Sequence, residues 1–438
     1  MQIRNVVLVD GLRSAFARGG RGKLVATRLD DAAARVLRAL LDRNPRVGDG
    51  RIEEIGIGNV QGRGTEFSYL GDVQRLAGLP LETCCFHSNR QCGSSMETLH
   101  RIALGIMVGH IECGVAMGIE RMGRGLPATA GASRVNAPNP RVAELNEVQR
   151  APAPDHDEIF SVPFPRVILE TPWVQSMPQT AQNTAEVYRL SRAELDAYAA
   201  ESHRRTAEAY AAGRYADEIV PLEIEEPVLD EKGIWLEQER GRTIVFDRDE
   251  CIREGTTAER LGQLPPLRGV KSFTGAEVVV TAGNSCPTND GISAALLMSE
   301  ERAAALGIEP LARIASFAVA GVKPQLMGLG PVVSSRRALA RAGIEAAQLD
   351  RVEVNEAFAA QVLPCMRELG VPLERVNVNG GALAIGHPLG ATGARLVATL
   401  GHELRRSGGR WGLATQCIGA GMGISTVLER LDGGAGLA

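Results

Sequence analysis

The hydrophobic and polar positions of the chain follow two alternating periods. Short apolar runs at residues 6–9 and 55–60 have the length of buried strands, and amphipathic stretches at 30–41 and after Cys92 have the period of a helix. Strands that alternate with helices are typical of a largely parallel sheet covered by helices on both faces. The pattern therefore predicts an α/β fold.

The alternation lapses in the middle of the chain. Between residues 121 and 173 neither period is sustained, and proline, alanine and asparagine are frequent. Loops of this length inside compact domains are usually functional, so we expect an excursion or lid. After it, Ser191 and Glu194 form the capping-box pattern that predicts a helix ending near Gly213.

Strands and helices return near Val278 and continue to a predicted pair of strands around Leu413 and Ile424. The chain is therefore expected to consist of two α/β halves around an insertion. We predict an N-terminal half over 1–120, an inserted loop domain plus the return to the N-terminal half over 121–272, and a C-terminal half over 273–438.

The composition is that of a globular enzyme. The 438 residues are 44% hydrophobic and 23% charged, which excludes a disordered chain, and the net charge of −4 without a basic block argues against nucleic-acid binding. No apolar run approaches the ~18 residues of a membrane span, and Asp10 interrupts the first run too early for a signal peptide. The eight cysteines are irregularly spaced, which favours free thiols. We therefore expect a cytoplasmic protein.

Cys92 is the first candidate for chemistry. It precedes a predicted helix and is followed by the small residues Gly93, Ser94 and Ser95. The field and the free N–H groups at a helix N-terminus lower the pKa of a thiol, so this is a position for a nucleophile. A lone cysteine is more often a small buried apolar residue, but these small neighbours leave room for a substrate.

His387 lies in a glycine-rich segment, 380–395. The glycines indicate sharp bends and a close approach to another group, with the imidazole at the start of a predicted helix. The segment lacks the spacing of a phosphate loop. A structural histidine in a tight turn explains this pattern equally well.

Two further strand ends carry polar or reactive groups. Cys417 precedes the glycine-rich turn 418–423, whose bare N–H groups suit an oxyanion, although such a segment is more often a simple hairpin. Asn355 and Glu356 end another predicted strand, where capping of the next helix is the simpler explanation. Two reactive cysteines with one histidine and one asparagine suit acyl transfer through a thioester.

Metal binding is not supported by the spacing of the candidate ligands. The segment 84–92 contains three cysteines and one histidine without the spacing of a zinc site. Arg406 stands where a second ligand to accompany His402 would be needed. We therefore predict no metal.

In combination, these motifs resemble those of the thiolases, most closely the degradative 3-ketoacyl-CoA thiolases of fatty-acid β-oxidation. The shared motifs are Asn-Arg-x-Cys-Gly-Ser-Ser-Met at 89–96, Asn-Glu-Ala-Phe-Ala-Ala-Gln at 355–361, Gly-Gly-Ala-x-Ala-x-Gly-His-Pro-x-Gly at 380–390 and Cys-Ile-Gly-x-Gly at 417–421. The resemblance covers nearly the whole chain except about 121–173. It implies the thiolase fold, with two similar halves in five αβαβα layers and an inserted loop domain, and a homodimer or homotetramer.

The resemblance also implies a role for each candidate residue. Cys92 is expected to take the acyl group after activation by His387. Cys417 is expected to be the acid/base, because a thiol with a pKa tuned near neutrality both gives and takes a proton. His387 with a water held by Asn355 would form one oxyanion site, and the backbone N–H groups of Cys92 and Gly419 would form the other.

Acyl-CoA and CoA are the implied substrates, with no tightly bound cofactor. The residues expected to contact them are Arg240 at the CoA nucleotide, and Met177, Cys286, Met327, Ala357 and Phe358 nearer the pantetheine. The chain departs from the family at Cys286-Pro287, where thiolases usually carry serine followed by glycine or alanine, and at 116–122. Because 121–173 does not align, no acyl chain length is predicted.

The predicted activity is reversible thiolytic cleavage of 3-ketoacyl-CoA in β-oxidation, with membership of a β-oxidation multienzyme complex left open. Condensing enzymes that resemble ketoacyl synthases share the fold, but they use a second histidine where this chain has Asn355. A biosynthetic acetoacetyl-CoA thiolase is one alternative. A catalytically weak thiolase-like protein that binds acyl-CoA is another, and the presence of Cys92, His387 and Cys417 argues against it.

Overall fold

The computed structural model describes residues 3–61, 71–123, 160–173 and 175–431. Its strands are β1 Val6–Ser14, β2 Ala17–Arg18, β3 Glu54–Gly58, β4 Cys84–Ser88, β5 Cys113–Glu120, β6 Ile219–Val220, β7 Leu222–Glu225, β8 Thr243–Phe246, β9 Asn289–Ser299, β10 Ala312–Gly321, β11 Arg351–Val354, β12 Trp411–Ile418 and β13 Met422–Glu429. Its α-helices are α1 Leu29–Arg43, α2 Asp72–Leu76, α3 Ser94–Met107, α4 Arg166–Leu169, α5 Met177–Val187, α6 Arg192–Ala211, α7 Ala258–Gly262, α8 Glu300–Ala305, α9 Gly330–Ala342, α10 Ala359–Leu369, α11 Ala382–Ile385 and α12 Leu389–Ser407. Short 3₁₀ helices span Lys23–Ala26, Asp49–Arg51, Pro324–Leu329, Ala346–Gln348 and Leu373–Arg375.

The main sheet is mixed, and two sets of strands meet within it. Its order is β11-β12-β13-β10-β1-β9-β5-β3-β4, with β2 and β6 attached to β9 and β1. The expectation of a largely parallel sheet is wrong, because β9 and β13 are each antiparallel to both of their neighbours in the strand order. The first set consists of β1, β9, β5, β3 and β4, and the second set of β10, β13, β12 and β11. They meet between β1 and β10, where two residue pairs are in register, Val7↔Arg313 and Leu8↔Ala312. Strand β9 pairs with β1 and β5, so residues 289–299 stand among the strands of the first set.

Apolar side chains on both faces of these strands are buried against helices, so the molecule has five layers. On β12, Leu413 belongs to an outer cluster with α9 and α10, whereas Ala414 belongs to a middle cluster with α3 and α12. On β1, Val7 joins an outer cluster with α1, and Leu8 joins the same middle cluster. Strands with two buried faces read as continuous apolar runs. The layers are therefore helix, strand, helix, strand, helix, as predicted.

Most of the predicted elements are present with adjusted bounds. The capping box is confirmed: Ser191 Oγ accepts from the Glu194 N–H, and Glu194 accepts from the Ser191 N–H, at the start of α6. The predicted return of strands near Val278 is wrong, because the next strand, β9, begins at Asn289. Residues 124–159 of the predicted lid lie outside the described residues.

The two middle helices cross at very short range. A Cβ atom at Gly393 of α12 would lie 2.4 Å from the backbone nitrogen of Met96 on α3, so only glycine fits there. The Ala394 N–H donates to Ser95 Oγ at 2.9 Å at the same place. Because α3 follows Cys92 and α12 follows His387, this crossing brings the segments before both helices together.

We expect Gly393→Ala to force the two helices apart. Overpacking of a close contact costs about 1–3 kcal/mol of unfolding free energy, more than alanine gains in helix propensity. Gly105→Ala on α3 is the matched control, since its Cβ would meet only the flexible Ile111 side chain, at 3.3 Å. Denaturant unfolding should show a loss for Gly393→Ala alone; equal stability of the two variants would contradict the packing argument.

Candidate active site

Cys92 lies in the turn between β4 and α3. The preceding residue, Gln91, has a positive φ of 47°, an unusual conformation for a residue with a side chain. Gln416 on β12 donates its Nε2 to the carbonyl oxygen of Cys92 at 2.8 Å. The main chain of Cys92 is thus tied to the strand that carries Cys417.

Burial determines the ionisation of the Cys92 thiol. Burial raises the pKa of Cys92 to about 11, while the backbone N–H groups of Gly419 and of Cys92 itself lower it in part. The expectation of a lowered pKa is wrong, because Cys92 precedes the Gly93 cap and desolvation outweighs the field of the helix. A base must therefore remove this proton before the thiol can attack.

The backbone N–H groups of Gly419 and Cys92 also bear on where negative charge is stabilised. Both lie close enough to the Cys92 sulfur to favour negative charge on it. An oxygen on a carbon bonded to this sulfur would lie in the same region. The geometry therefore suits the stabilisation of an oxyanion next to Cys92.

Cys417 is buried at the end of β12, where β12 turns into β13. Burial raises the pKa of its thiol well above the ordinary value, and the neighbouring Cys92, Cys365 and Cys286 thiols raise it further. The expectation of a pKa near neutrality is therefore wrong for the same reason as at Cys92. The resting thiol is a proton donor.

Three hydrogen bonds surround His387. Its Nδ1 lies 2.6 Å from Thr392 Oγ1, and its Nε2 lies 3.3 Å from Asn355 Nδ2. Thr392 Oγ1 donates to the carbonyl oxygen of Pro388 at 3.1 Å, so the hydroxyl oxygen must accept from Nδ1–H. This arrangement assigns the proton to Nδ1 and leaves the lone pair on Nε2.

The charge state of His387 follows from its burial. Desolvation lowers its pKa to about 3, and the nearby Arg395 guanidinium lowers it further. The imidazole is therefore neutral around pH 7. The Nε2 lone pair of this neutral ring faces the Asn355 amide at 3.3 Å and is able to accept a proton from a thiol.

Asn355 and Glu356 follow β11 but do not cap α10, since that helix begins at Ala359 with Phe358 as its cap residue. Asn355 Oδ1 is buried without a hydrogen-bond partner among the described residues. Glu356 instead accepts from Tyr198 and Asn377, among other donors, at 2.9 and 2.8 Å. Asn355 thus lies next to His387, whereas the Glu356 carboxylate links the chain segments around it through hydrogen bonds.

Five of the predicted binding residues lie together. Met327, Ala357 and Phe358 belong to the same apolar cluster as Cys417, and Met177 packs against it. The Cys286 N–H donates to the carbonyl oxygen of Ala357 at 3.0 Å. The structure therefore brings these residues to the same region as the reactive thiols.

Arg240 is placed apart from that group. It lies in the connection between β7 and β8, its side chain is 83% exposed, and it pairs with Glu225 at 3.3 Å. None of its described contacts reaches Cys92, His387 or Cys417. Its contact with the CoA nucleotide remains a prediction.

Sequence reasoning missed several residues of the site. Thr392 stands in the segment 380–395 and Gln416 directly precedes Cys417, but neither was singled out. The Gln416 hydrogen bond depends on a distant chain segment, and the Thr392 hydrogen bond depends on the fold of the turn before its helix. Glu120 is another: its carboxylate accepts from the N–H groups of Gly390 and Gln61 at 2.7 and 2.8 Å, and burial raises its pKa to about 7. It ties β5 to the turn after His387.

The described parts of the chain contain no cluster of metal ligands and no membrane-spanning helix. Within residues 3–61, 71–123, 160–173 and 175–431, no group of three His, Cys, Asp or Glu residues is placed to hold a metal ion. Over the same ranges, no helix has the length and apolarity needed to cross a bilayer.

Comparisons with known proteins agree with this geometry. Residues 6–301 match the family model of the thiolase N-terminal domain, and residues 308–430 match that of the thiolase C-terminal domain. The chain is 40% identical over 433 residues to the beta-ketoadipyl-CoA thiolase of Escherichia coli, covering 98% of this chain and 100% of that protein. It is 39% identical over 432 residues to a 3-ketoacyl-CoA thiolase of Vibrio vulnificus, with 98% and 100% coverage.

Solved structures give the same result. The acetyl-CoA acetyltransferase of Bacillus anthracis superposes with a TM-score of 0.80 at 33% identity, over 98% of this chain and 100% of that one. Human mitochondrial 3-ketoacyl-CoA thiolase superposes with a TM-score of 0.79 at 31% identity, over 98% and 99%. The fold and the sequence together define an acyltransferase with the thiolase fold. The chain belongs to the thiolase family.

We expect Thr392→Val to impair catalysis by releasing the His387 ring. Without the hydroxyl acceptor, Nδ1–H loses its partner and the lone pair is no longer fixed on Nε2. Full loss of general base catalysis costs about 10²–10⁴-fold, so a loss of about 10–100-fold in kcat is expected from this misplacement. Thr392→Ser keeps the hydroxyl and should retain near-normal kcat. Steady-state kinetics that show the same kcat for valine and serine would contradict the assigned tautomer.

Proposed function

We propose that this thiolase cleaves 3-ketoacyl-CoA by thiolysis with CoA, giving acetyl-CoA and a shortened acyl-CoA. The observation that carries the proposal is the setting of Cys92. Backbone N–H groups of Gly419 and Cys92 favour negative charge on its sulfur, and a second protonated thiol, Cys417, is its neighbour. The close contact of α12 with α3 brings the segment of the neutral His387 imidazole towards it. Acyl transfer through a thioester requires these groups: a nucleophilic thiol, a base, a proton donor and N–H groups that stabilise an oxyanion.

In the first half-reaction, Cys92 attacks the ketone carbon of the substrate. His387 Nε2 accepts the thiol proton, and the Cys92 sulfur bonds to C3 of the 3-ketoacyl group. The C2–C3 bond then breaks, and the electron pair leaves on the acetyl-CoA enolate. Cys417 donates its proton to C2 of the enolate, which releases acetyl-CoA and leaves an acyl thioester on Cys92.

In the second half-reaction, the acyl group passes to CoA. The Cys417 thiolate accepts the proton of the CoA thiol, and the CoA sulfur attacks the thioester carbonyl. The tetrahedral oxyanion faces the N–H groups of Cys92 and Gly419. Its collapse breaks the bond to the Cys92 sulfur, which recovers its proton from His387.

Asn355 completes the other oxyanion site in this proposal. Its buried Oδ1 has no hydrogen-bond partner among the described residues and is an acceptor suited to a water molecule. Such a water, with the Nε2–H that His387 acquires from Cys92, would donate to the enolate oxygen of acetyl-CoA. The enolate oxygen would thus receive two hydrogen bonds, one from the water and one from His387.

The placement of the apolar residues near Cys417 supports the proposed CoA contacts. Met327, Ala357 and Phe358 belong to the apolar cluster that includes Cys417, Met177 packs against it, and the pantetheine would lie against these residues. Cys286 supplies a thiol where the family usually has a serine hydroxyl, and a thiol is the weaker hydrogen-bond partner. Arg240 would meet the nucleotide phosphates.

We propose straight-chain substrates of fatty-acid β-oxidation, a homodimer or homotetramer and a cytoplasmic location. A second candidate is favoured by the relatives, because an Escherichia coli protein 40% identical to this chain is a beta-ketoadipyl-CoA thiolase. Synthesis of acetoacetyl-CoA from acetyl-CoA is the reverse direction of the same chemistry. The substrates therefore have to be compared directly.

The test is kcat/KM for thiolysis across matched substrates. Acetoacetyl-CoA, 3-oxohexanoyl-CoA and 3-oxooctanoyl-CoA test chain length, and 3-oxoadipyl-CoA has the six acyl carbons of the hexanoyl compound with a free carboxylate in place of the terminal methyl group. We expect the straight chains to be cleaved best, with Cys92→Ala inactive on all. A preference of about tenfold or more, ~1.4 kcal/mol, for 3-oxoadipyl-CoA would assign the dicarboxylate instead. Thiolysis of none of them by the wild type would overturn the proposed function.

A further inference from the structure

The turn that carries His387 lies against a buried asparagine outside the predicted site. Asn289 is the first residue of β9 and is fully buried. Its Oδ1 accepts a hydrogen bond from the backbone N–H of His387 at 3.0 Å. A bridge between Thr288 and His387 fixes the same main chain. Asn289 therefore holds the backbone from which the imidazole projects.

The orientation of this amide is fixed from its other end. Asn289 Nδ2 donates to the carbonyl oxygen of Ala17 at 3.0 Å and to Cys251 Sγ at 3.3 Å. Because both of these groups accept, the NH₂ group must face them and the oxygen must face His387. The amide is thus held at both ends.

Gly386 makes the fit between the turn and the amide close. Its φ is +106°, and a Cβ atom there would lie 2.3 Å from three atoms of the Asn289 amide. The main chain just before His387 therefore lies directly on the amide. Removing the Asn289 side chain would leave this turn without its support.

We propose that Asn289 is a positioning residue for the reaction, acting through His387 without touching the substrate. Thr392 and Asn355 fix the ring, and Asn289 fixes the main chain from which the ring projects. A displacement of about 1 Å in a reacting group can cost ~10²-fold in rate. The inference rests on the proposed function, because it takes His387 as the base.

The test is a double-mutant cycle with a matched control. The variants are Asn289→Ala, His387→Ala, the double variant and Asn379→Ala, measured with the best substrate of the panel above. Asn379 is also a buried asparagine with both amide ends bonded, to Arg214 at 2.8 Å and Glu403 at 2.9 Å, and neither of these hydrogen bonds involves His387. Its replacement removes comparable hydrogen bonds at another place.

We expect Asn289→Ala to lower kcat about 10–100-fold with little change in KM, and Asn379→Ala to lower it by less than about threefold. The double variant should be no slower than His387→Ala, because a residue that acts through the base has no effect once the base is gone. Equal losses in the two asparagine variants, or additive losses in the double variant, would overturn the inference. Normal turnover by His387→Ala would instead overturn the proposed function.

Cys251 provides the same test if Asn289→Ala does not fold. Cys251→Ser keeps an acceptor for Asn289 Nδ2, and Cys251→Ala removes it. One lost hydrogen bond of this kind is worth about 0.5–1.5 kcal/mol, so the alanine variant should lose about three- to tenfold in kcat and the serine variant should not. Equal kcat in the two variants would overturn the role of the Asn289 amide.

Discussion

The close crossing of α12 over α3 is the contact on which the rest of the site depends. Cys92 stands just before α3 and His387 just before α12, almost three hundred residues later in the chain. Glycine at 393 lets the backbones meet, and the apolar middle cluster between the two sets of strands holds the helices in place. The segments that carry Cys92 and His387, the proposed nucleophile and its proposed base, therefore come together only when both halves of the fold are complete.

Burial then determines the chemistry at this crossing. Desolvation raises the thiol pKa of Cys92 and Cys417 and lowers the pKa of His387, so all three groups are uncharged at rest. An unpaired charge in this interior would be costly. In the proposed reaction, charge appears next to the N–H groups of Cys92 and Gly419 and the polar groups around His387, which already hold these positions in the resting protein.

The sequence predicted the layered α/β fold and singled out the proposed reacting groups, because both leave local signals. Buried strands read as apolar runs, and Cys92, His387 and Cys417 each stand in a short motif. The pKa directions could not be predicted in this way, since burial depends on packing between distant segments. The same holds for Gln416 on Cys92 and Asn289 on His387, whose hydrogen bonds join residues far apart in sequence. The start of β9 was also missed, because Val279 and Val280 are buried without forming a strand.

The most direct measurement is the site of acylation. The enzyme is incubated with acetyl-CoA in the absence of free CoA, quenched in acid and digested with trypsin, which leaves Cys92 as the one cysteine of peptide 91–101. The account predicts an acetyl group on this peptide in the wild type and in Cys417→Ala. An acetyl group on the peptides that carry Cys417 or Cys286, with Cys92 unmodified, would contradict it.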